Sequence, residues 1–109
     1  MKDNKLIAEF MGLPTQVFKS GKLNYKRNDS WFEEHELSYN VSWDWLMPVV
    51  EKIESDERYD VDILQYGTRI RENQKDIVNN IADISFDKKI EHTYDAVVKF
   101  IKEHNYDNR

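Results

Sequence analysis

Two aspartates placed two residues apart are the pair in this sequence best suited to catalysis. Asp60 and Asp62 alternate with apolar residues in the stretch YDVDI, residues 59–63. In a strand this spacing puts both carboxylates on one face, where such pairs bind Mg²⁺ or share acid–base chemistry. The pair therefore permits a small metal-dependent enzyme such as a nuclease. A solvated sheet face produces the same alternation without any chemistry. We favour that interpretation, and the protein is predicted not to be an enzyme.

The histidines and glycines do not complete another catalytic or metal site. The three histidines are His35, His92 and His104, and no two of them have the spacing of a helical zinc pair. His35 lies in the acidic stretch 33–36, which is typical of a solvated loop, and His92 is predicted on the polar face of the last helix. The chain has no cysteine and only three glycines, which form no phosphate-binding loop. The sequence predicts no metal and no cofactor.

Charge limits the class of partner. The net charge is −5, from 21 acidic and 16 basic residues, whereas a general nucleic-acid binder is usually basic. No acid interrupts the basic run of Lys19, Lys22, Lys26 and Arg27. Together with Tyr25 and Trp31 this run could hold a phosphate chain and stack its bases. A solvated surface explains the run more simply, so the sequence argues against nucleic acid as the partner.

Three helices and a small antiparallel sheet are expected to position these residues. The apolar periodicity predicts helices over residues 4–11, 43–56 and 88–104. The predicted apolar stripe of the last helix consists of Ile90, Tyr94, Val97, Val98 and Ile101. Residues 59–66 and 68–73 should pair as a hairpin. The stretch 77–86 fits helix or strand, and we assign it as strand, because two strands need a third to make a stable sheet. Residues 1–109 are therefore predicted to be one α+β domain, with two to four strands and about three helices in a sandwich-like arrangement.

The ends of the first two helices are predicted from local chemistry. Asp3 or Asn4 should cap the first helix, and Gly12 should end it in the left-handed conformation. Residues 37–41 alternate between apolar and polar side chains, which predicts a short extended lead-in to the second helix. Ser42 should cap that helix.

Residues 15–36 leave two structures open. One is a hairpin that turns at Ser20 and Gly21, with its inward side chains at Val17, Leu23 and Tyr25. The other is a long loop with two short extended pieces. A loop of this length is unusual in a small domain unless it is functional. The segment is therefore a candidate for any special function.

Two tryptophans flank Asp44 at the start of the second helix. On a helical wheel one apolar arc contains Trp43, Leu46, Met47, Val50 and Ile53. Trp43 is thus predicted to be core. Trp45 lies off the arc, so it either packs against another segment such as residues 31–41, which we favour, or is exposed as an anchor for a partner. Pro48 removes one helical hydrogen bond and should kink the first turn.

A small nucleotide ligand would need rings to stack on its base and cations to hold its phosphates. The sequence offers both if the sheet and the second helix meet at a pocket. The predicted ligand- or partner-binding residues are Tyr39, Trp45, Arg69 and Arg71.

Three stretches resemble a known group of proteins. They are NKLIAEFMG (residues 4–12), YNVSWDWLMPVVEKIE (39–54) and KKIEHTYDAVVKFIKEHN (88–105). These stretches resemble small uncharacterised phage and prophage proteins of Bacteroidetes. The chain is similar to the phage α–β–α sandwich domain family, with YNVS standing where that family has a YST-like segment. The insert at 15–36 departs from the shorter members. The resemblance implies a phage origin and a small sandwich, and it implies no catalytic residues.

These observations together predict a non-catalytic, phage-encoded accessory protein that acts by binding, with counter-defence as its candidate role. Its partner would be a host protein or a small nucleotide signal, and a homo-oligomer is left open. The N-terminus has no signal-peptide pattern and no apolar run approaches the length of a membrane span. We therefore expect the protein in the cytoplasm of the host cell. The metal-dependent nuclease using Asp60 and Asp62 is the rival hypothesis.

Overall fold

The fold combines three helices with two separate antiparallel sheets, which confirms the predicted α+β class. The computed structural model describes residues 2–81 and 88–104. The helices are α1 (Lys2–Phe10), α2 (Trp43–Glu54) and α3 (Lys89–His104). The small sheet has strands β1 (Thr15–Val17), β2 (Leu23–Arg27) and β3 (Ser30–Glu33). The body sheet has strands β4 (Tyr59–Leu64), β5 (Gly67–Glu72) and β6 (Lys75–Asn79).

The body sheet follows the sequence prediction closely. Strands β4 and β5 form the expected hairpin, and β6 pairs antiparallel with β5. Asn73 and Gln74 connect β5 to β6 with φ angles of 50° and 70°, the positive values that a tight two-residue hairpin turn needs. The strand predicted over 77–86 is confirmed for residues 77–79 and is wrong for residues 80 and 81, which follow the end of β6. Its residues 82–86 lie outside the described part of the chain.

Helix α3 lies at the centre of the core. Its buried stripe is the predicted one: Tyr94, Val97, Val98 and Ile101 are all nearly inaccessible to solvent. The Phe100 ring extends the stripe and meets the Tyr59 ring edge-on, with the ring centroids 4.9 Å apart. Edge-to-face aromatic pairs of this kind add to the stability that apolar burial gives. The core therefore joins α3 to the first strand of the body sheet.

Of three local predictions for α1 and for the segment before α2, one is confirmed and two are wrong. Gly12 has a φ of 69° and ends α1 as expected. Neither Asp3 nor Asn4 is a cap, because both lie inside α1, and the buried amide of Asn4 donates to the Leu37 carbonyl at 2.8 Å. The extended lead-in over 37–41 is also wrong. A short 3₁₀ helix, Glu34–Glu36, is followed by turns, and Val41 is 70% exposed.

The N-terminus of α2 matches its prediction in position but not in mechanism. Ser42 is the N-cap residue, yet its side chain makes no capping hydrogen bond. Its backbone carbonyl instead accepts from the Trp45 and Leu46 amides at 3.1 and 3.0 Å. Pro48 lies inside α2, and the predicted kink there stays a prediction.

His92 was expected on a polar face, and that expectation is wrong. The residue is only 3% exposed, and its Nδ1 atom lies 2.7 Å from the Thr68 hydroxyl. Burial lowers the pKa of His92 below its ordinary value of 6.5, while a hydrogen bond with the Gln65 backbone opposes that shift. The error arises because α3 packs against the body sheet over a wider face than its apolar stripe alone indicates.

None of the described helices combines the length and the apolar composition that a membrane span needs.

Candidate binding surface on the small sheet

The small sheet is built from the segment whose structure the sequence left open. The hairpin alternative is confirmed, because β1 pairs with β2 in register and the chain turns between Val17 and Leu23. Gly21, with a φ of 82°, lies in that turn. A second turn brings in β3, a third strand that was not predicted. The sheet therefore has two faces, and they differ in what they contact.

One face joins the small sheet to α2 through an aromatic cluster. The Trp45 ring meets the Phe32 ring edge-on at 5.0 Å and the Tyr39 ring at 5.2 Å. The guanidinium of Arg27 lies over the same indole, 4.1 Å from its centroid, and donates to the Asp44 carbonyl at 2.8 Å. The packing alternative for Trp45 is thus confirmed. The segment it packs against includes β3, within the predicted 31–41.

Trp43 is not core, contrary to the prediction. It is 36% exposed and does not belong to the residues that form or pack against the hydrophobic core. The rest of the predicted arc is largely confirmed, since Leu46, Val50 and Ile53 are buried and Val49 joins them. Trp43 lies at the edge of that arc in the first turn. The helical wheel could not anticipate that the small sheet would cover the Trp45 side of the helix.

Two of the three inward positions predicted in the hairpin are also wrong. Tyr25 is buried as expected, but Val17 is 62% exposed and Leu23 is 39% exposed. These two residues pair directly with each other across β1 and β2. They lie at the end of the sheet away from Arg27. Alternation puts them on the same face as Tyr25, but beyond the part of that face that contacts α2. The tip of the hairpin is therefore apolar and exposed.

The opposite face carries an aromatic pair that is separate from the core. Phe18 and Trp31 meet edge-on with their ring centroids 5.3 Å apart. Lys26 is the direct cross-strand partner of Trp31, and its ammonium lies 5.9 Å from the indole centroid. Phe18 is 36% exposed, and neither ring is among the described residues that form the core cluster or pack against it. An apolar surface of this kind, bordered by a cation, is typical of a contact site for a partner.

The four residues predicted as a binding site form two separate pairs. Tyr39 and Trp45 are in contact, but Tyr39 is only 2% exposed and burial raises its pKa to about 12. Arg69 and Arg71 both contact the Asp62 carboxylate, at 2.8 and 3.3 Å. Within the described residues, no hydrogen bond, ion pair or ring contact links the first pair to the second. A pocket that uses all four is therefore not assembled there.

The two aspartates lie on one face of the body sheet, as predicted. Asp60 pairs across the strands with Arg71, and Asp62 pairs with Arg69. Asp60 is exposed, while Asp62 Oδ2 already accepts a hydrogen bond from Arg69. A carboxylate that is neutralised by two guanidinium groups is a poorer ligand for Mg²⁺ than a free one. The arrangement is that of a charged, partly solvated strand face.

A small group of possible metal ligands lies next to the small sheet. Donor atoms of Glu33, His35 and Glu36 fall within 4.8 Å of one another, and imidazole with carboxylates is a donor set that suits zinc. His35 and Glu36 are exposed. Glu33 pairs with Lys22 at 3.3 Å, and Glu36 accepts from the Glu33 backbone amide at 2.9 Å. Both carboxylates therefore already have partners within the protein.

Phe18 was not among the predicted site residues. A usable signal was present, since Phe18 lies just before the turn residues of a predicted hairpin, where a side chain has little to pack against.

Comparison of the chain with family models, curated proteins and solved structures finds no match. The candidate surface therefore rests on its own geometry.

Proposed function

We propose that this protein acts by binding a partner protein through the small sheet, and not by catalysis. The observation that carries the proposal is the Phe18–Trp31 pair, whose ring centroids lie 5.3 Å apart on a sheet face and which is not among the described residues that pack against the core. Burying such rings is favourable, and aromatic residues are the commonest anchors of protein interfaces. Val17 and Leu23 leave further apolar surface exposed at the tip of the same hairpin, on its other face.

The resemblance to small phage proteins supplies the biological setting of the proposal. In that setting the protein is a phage-encoded accessory protein that acts in the host cytoplasm and binds a host protein, against host defence. The small sheet is formed by the insert at 15–36, which the shorter resembling proteins lack. An insert that builds its own sheet is a plausible place for a function specific to this chain.

A partner protein is favoured over a small nucleotide for a physical reason. The nucleotide hypothesis needs Tyr39 and Trp45 to stack on a base, but Tyr39 is buried and the Trp45 ring already contacts Arg27. It also needs Arg69 and Arg71 to hold phosphates, while both already hold Asp62. Ligand binding there would first have to break these contacts. The Phe18–Trp31 surface requires no such rearrangement.

The proposal is tested by affinity purification from infected host cells with quantitative mass spectrometry. The parent is compared with Phe18→Ser and Trp31→Ser, and with Tyr66→Ser as the control. Tyr66 is a 71% exposed aromatic residue in the turn between β4 and β5. We expect a host protein that is captured by the parent and by the control and is lost in both sheet variants, at unchanged melting temperature. Capture that is equal in all four proteins would refute the proposal.

Self-association is examined in the same samples by light scattering. A parent that forms a dimer, and that becomes a monomer in Phe18→Ser and Trp31→Ser, would identify a second copy of this chain as the occupant of the surface. That result, with no host protein captured, would also overturn the proposal.

The enzyme hypothesis makes a different prediction for the body sheet. We expect Asp60→Asn combined with Asp62→Asn to capture the same host protein as the parent, because these carboxylates lie on a partly solvated strand face. Loss of biological activity in this double variant at an unchanged melting temperature, together with a dependence of the parent's activity on Mg²⁺, would instead favour the nuclease.

A further inference from the structure

We infer that the small sheet takes an acidic, extended peptide segment that carries one large apolar side chain. The inference rests on the proposed function and names the chemical class of the partner. It combines three features of the same sheet: a groove at its tip, the cations beside its aromatic pair, and the contrast between its charge and that of the remaining chain.

The groove gives an apolar anchor a place to bind. It lies at the tip of the hairpin, with a volume of about 600 Å³, and is lined by Gln16, Val17, Phe18, Lys19 and Ser20. The groove is open and shallow, which suits one side chain of an extended peptide better than an enclosed small molecule. The exposed Val17 and Phe18 side chains supply its apolar wall.

The cations around the groove select the charge of the segment. Lys22 pairs with Glu33 at 3.3 Å. The Arg27 guanidinium already lies over the Trp45 ring and donates to the Asp44 carbonyl. Among the hairpin cations this leaves Lys19, on the groove, and Lys26, beside Trp31. Carboxylates of a bound segment can pair with both ammonium groups at the edge of an apolar contact, an arrangement that contributes specificity and speeds association.

Charge distribution separates an acidic peptide from nucleic acid. The small sheet, residues 15–33, contains four basic residues and two acids, so it carries +2, whereas the whole chain carries −5 and the remainder therefore carries −7. A long polyanion that contacts the hairpin must also pass the acidic remainder, which repels it. A short acidic segment can bind within the basic region alone. The occupant is accordingly a peptide.

The test is a selection from a random dodecapeptide display library on the immobilised full-length protein. The same selection is made on Lys19→Glu/Lys26→Glu and on Phe18→Ser. The matched control is Lys75→Glu/Lys89→Glu, which makes the same change in net charge on β6 and α3, away from the small sheet. We expect the parent and the control to enrich peptides rich in Asp and Glu around one aromatic or aliphatic residue.

Fluorescence anisotropy with the most enriched peptide then measures the effect. We expect Lys19→Glu/Lys26→Glu to weaken the affinity by about tenfold or more, as two exposed ion pairs turned into repulsions should. Phe18→Ser should weaken it at least as much, and the charge-matched control less than about threefold. Neutral or basic peptides, no enrichment at all, or an affinity unaffected by the Lys19→Glu/Lys26→Glu change would overturn the inference.

Two further results separate this inference from the proposal beneath it. If a dodecamer of thymidylate binds more tightly than the selected peptides, and Lys19→Glu/Lys26→Glu abolishes that binding, the occupant is nucleic acid and the inference fails. If the host protein captured from cells is lost in Phe18→Ser but is retained in Lys19→Glu/Lys26→Glu, the proposed function stands and the acidic class alone is wrong.

Discussion

The two tryptophans at the start of α2 should differ sharply in their contribution to stability. Trp45 makes edge-to-face contacts with Phe32 and Tyr39, and its indole lies 4.1 Å from the Arg27 guanidinium carbon. Trp43 is 36% exposed and is not among the described residues that form the core or pack against it. We therefore expect Trp45→Ala to destabilise the protein considerably more than Trp43→Ala, although the two residues are neighbours on one helix.

The magnitude follows from the contacts of the Trp45 ring. Each aromatic pair contributes about 0.5–1.5 kcal/mol beyond its area, and a cation–π contact at a partly exposed site contributes about 0.5–1 kcal/mol. Two pairs and one cation–π contact give a difference of about 1.5–4 kcal/mol between the two variants. That is a large part of the stability of a domain of this size.

Urea denaturation of the two alanine variants measures this difference. The Arg27→Ala variant and its double mutant with Trp45→Ala complete a cycle, whose coupling energy should be about 0.5–1 kcal/mol. In the folded proteins, iodide should quench a fluorescence component that disappears in Trp43→Ala. Equal destabilisation by the two alanine substitutions, or a quenchable component that disappears only in Trp45→Ala, would show that the assignment of the packed ring is wrong.

Two other positions give equally definite expectations. Gly67→Ala should lower the urea midpoint by the equivalent of about 1–3 kcal/mol, because an added Cβ would lie 2.4 Å from the Asn80 carbonyl oxygen; an unchanged midpoint would contradict this close approach. Burial lowers the pKa of His92 in the folded protein below its ordinary value of 6.5. Below about pH 6.5 the unfolded chain therefore binds more protons than the folded protein does, and the stability of the fold decreases as the pH drops through the lowered pKa. The melting temperature should therefore fall less between pH 7 and 5 in His92→Gln than in the parent; equal slopes in the two proteins would refute the argument.

Local patterns in the sequence determined the regular elements of the body. Val97 and Ile101 lie on a stripe with helical spacing, and that stripe is buried in α3 as predicted. The alternation around Asp60 and Asp62 predicted β4 and the face that carries both acids. Such patterns depend on the period of one helix or one strand, and that period does not require knowledge of the neighbouring elements.

The burial predictions failed where the spacing of residues within one helix or strand does not determine which side of that element another segment covers. The helical wheel put Trp43 in the core and Trp45 at its edge, and the small sheet reversed the order by packing Phe32 and Arg27 on Trp45. His92 was assigned to solvent from its position on one helix, but its contact is Thr68, 24 residues away on β5. Burial at the edge of an amphipathic face is set by a distant segment, which a single-element pattern does not contain.

The candidate surface shows the same division between sequence and tertiary structure. The sequence by itself determined that residues 15–36 are unusual, carry a basic run and can form a hairpin. Only the tertiary structure decided that a third strand completes a sheet, that Tyr25 and Phe32 face the body, and that Phe18 and Trp31 meet on the other side. The physical reason is that alternation fixes two faces for every strand, while packing against the remaining chain decides which face is left for a partner.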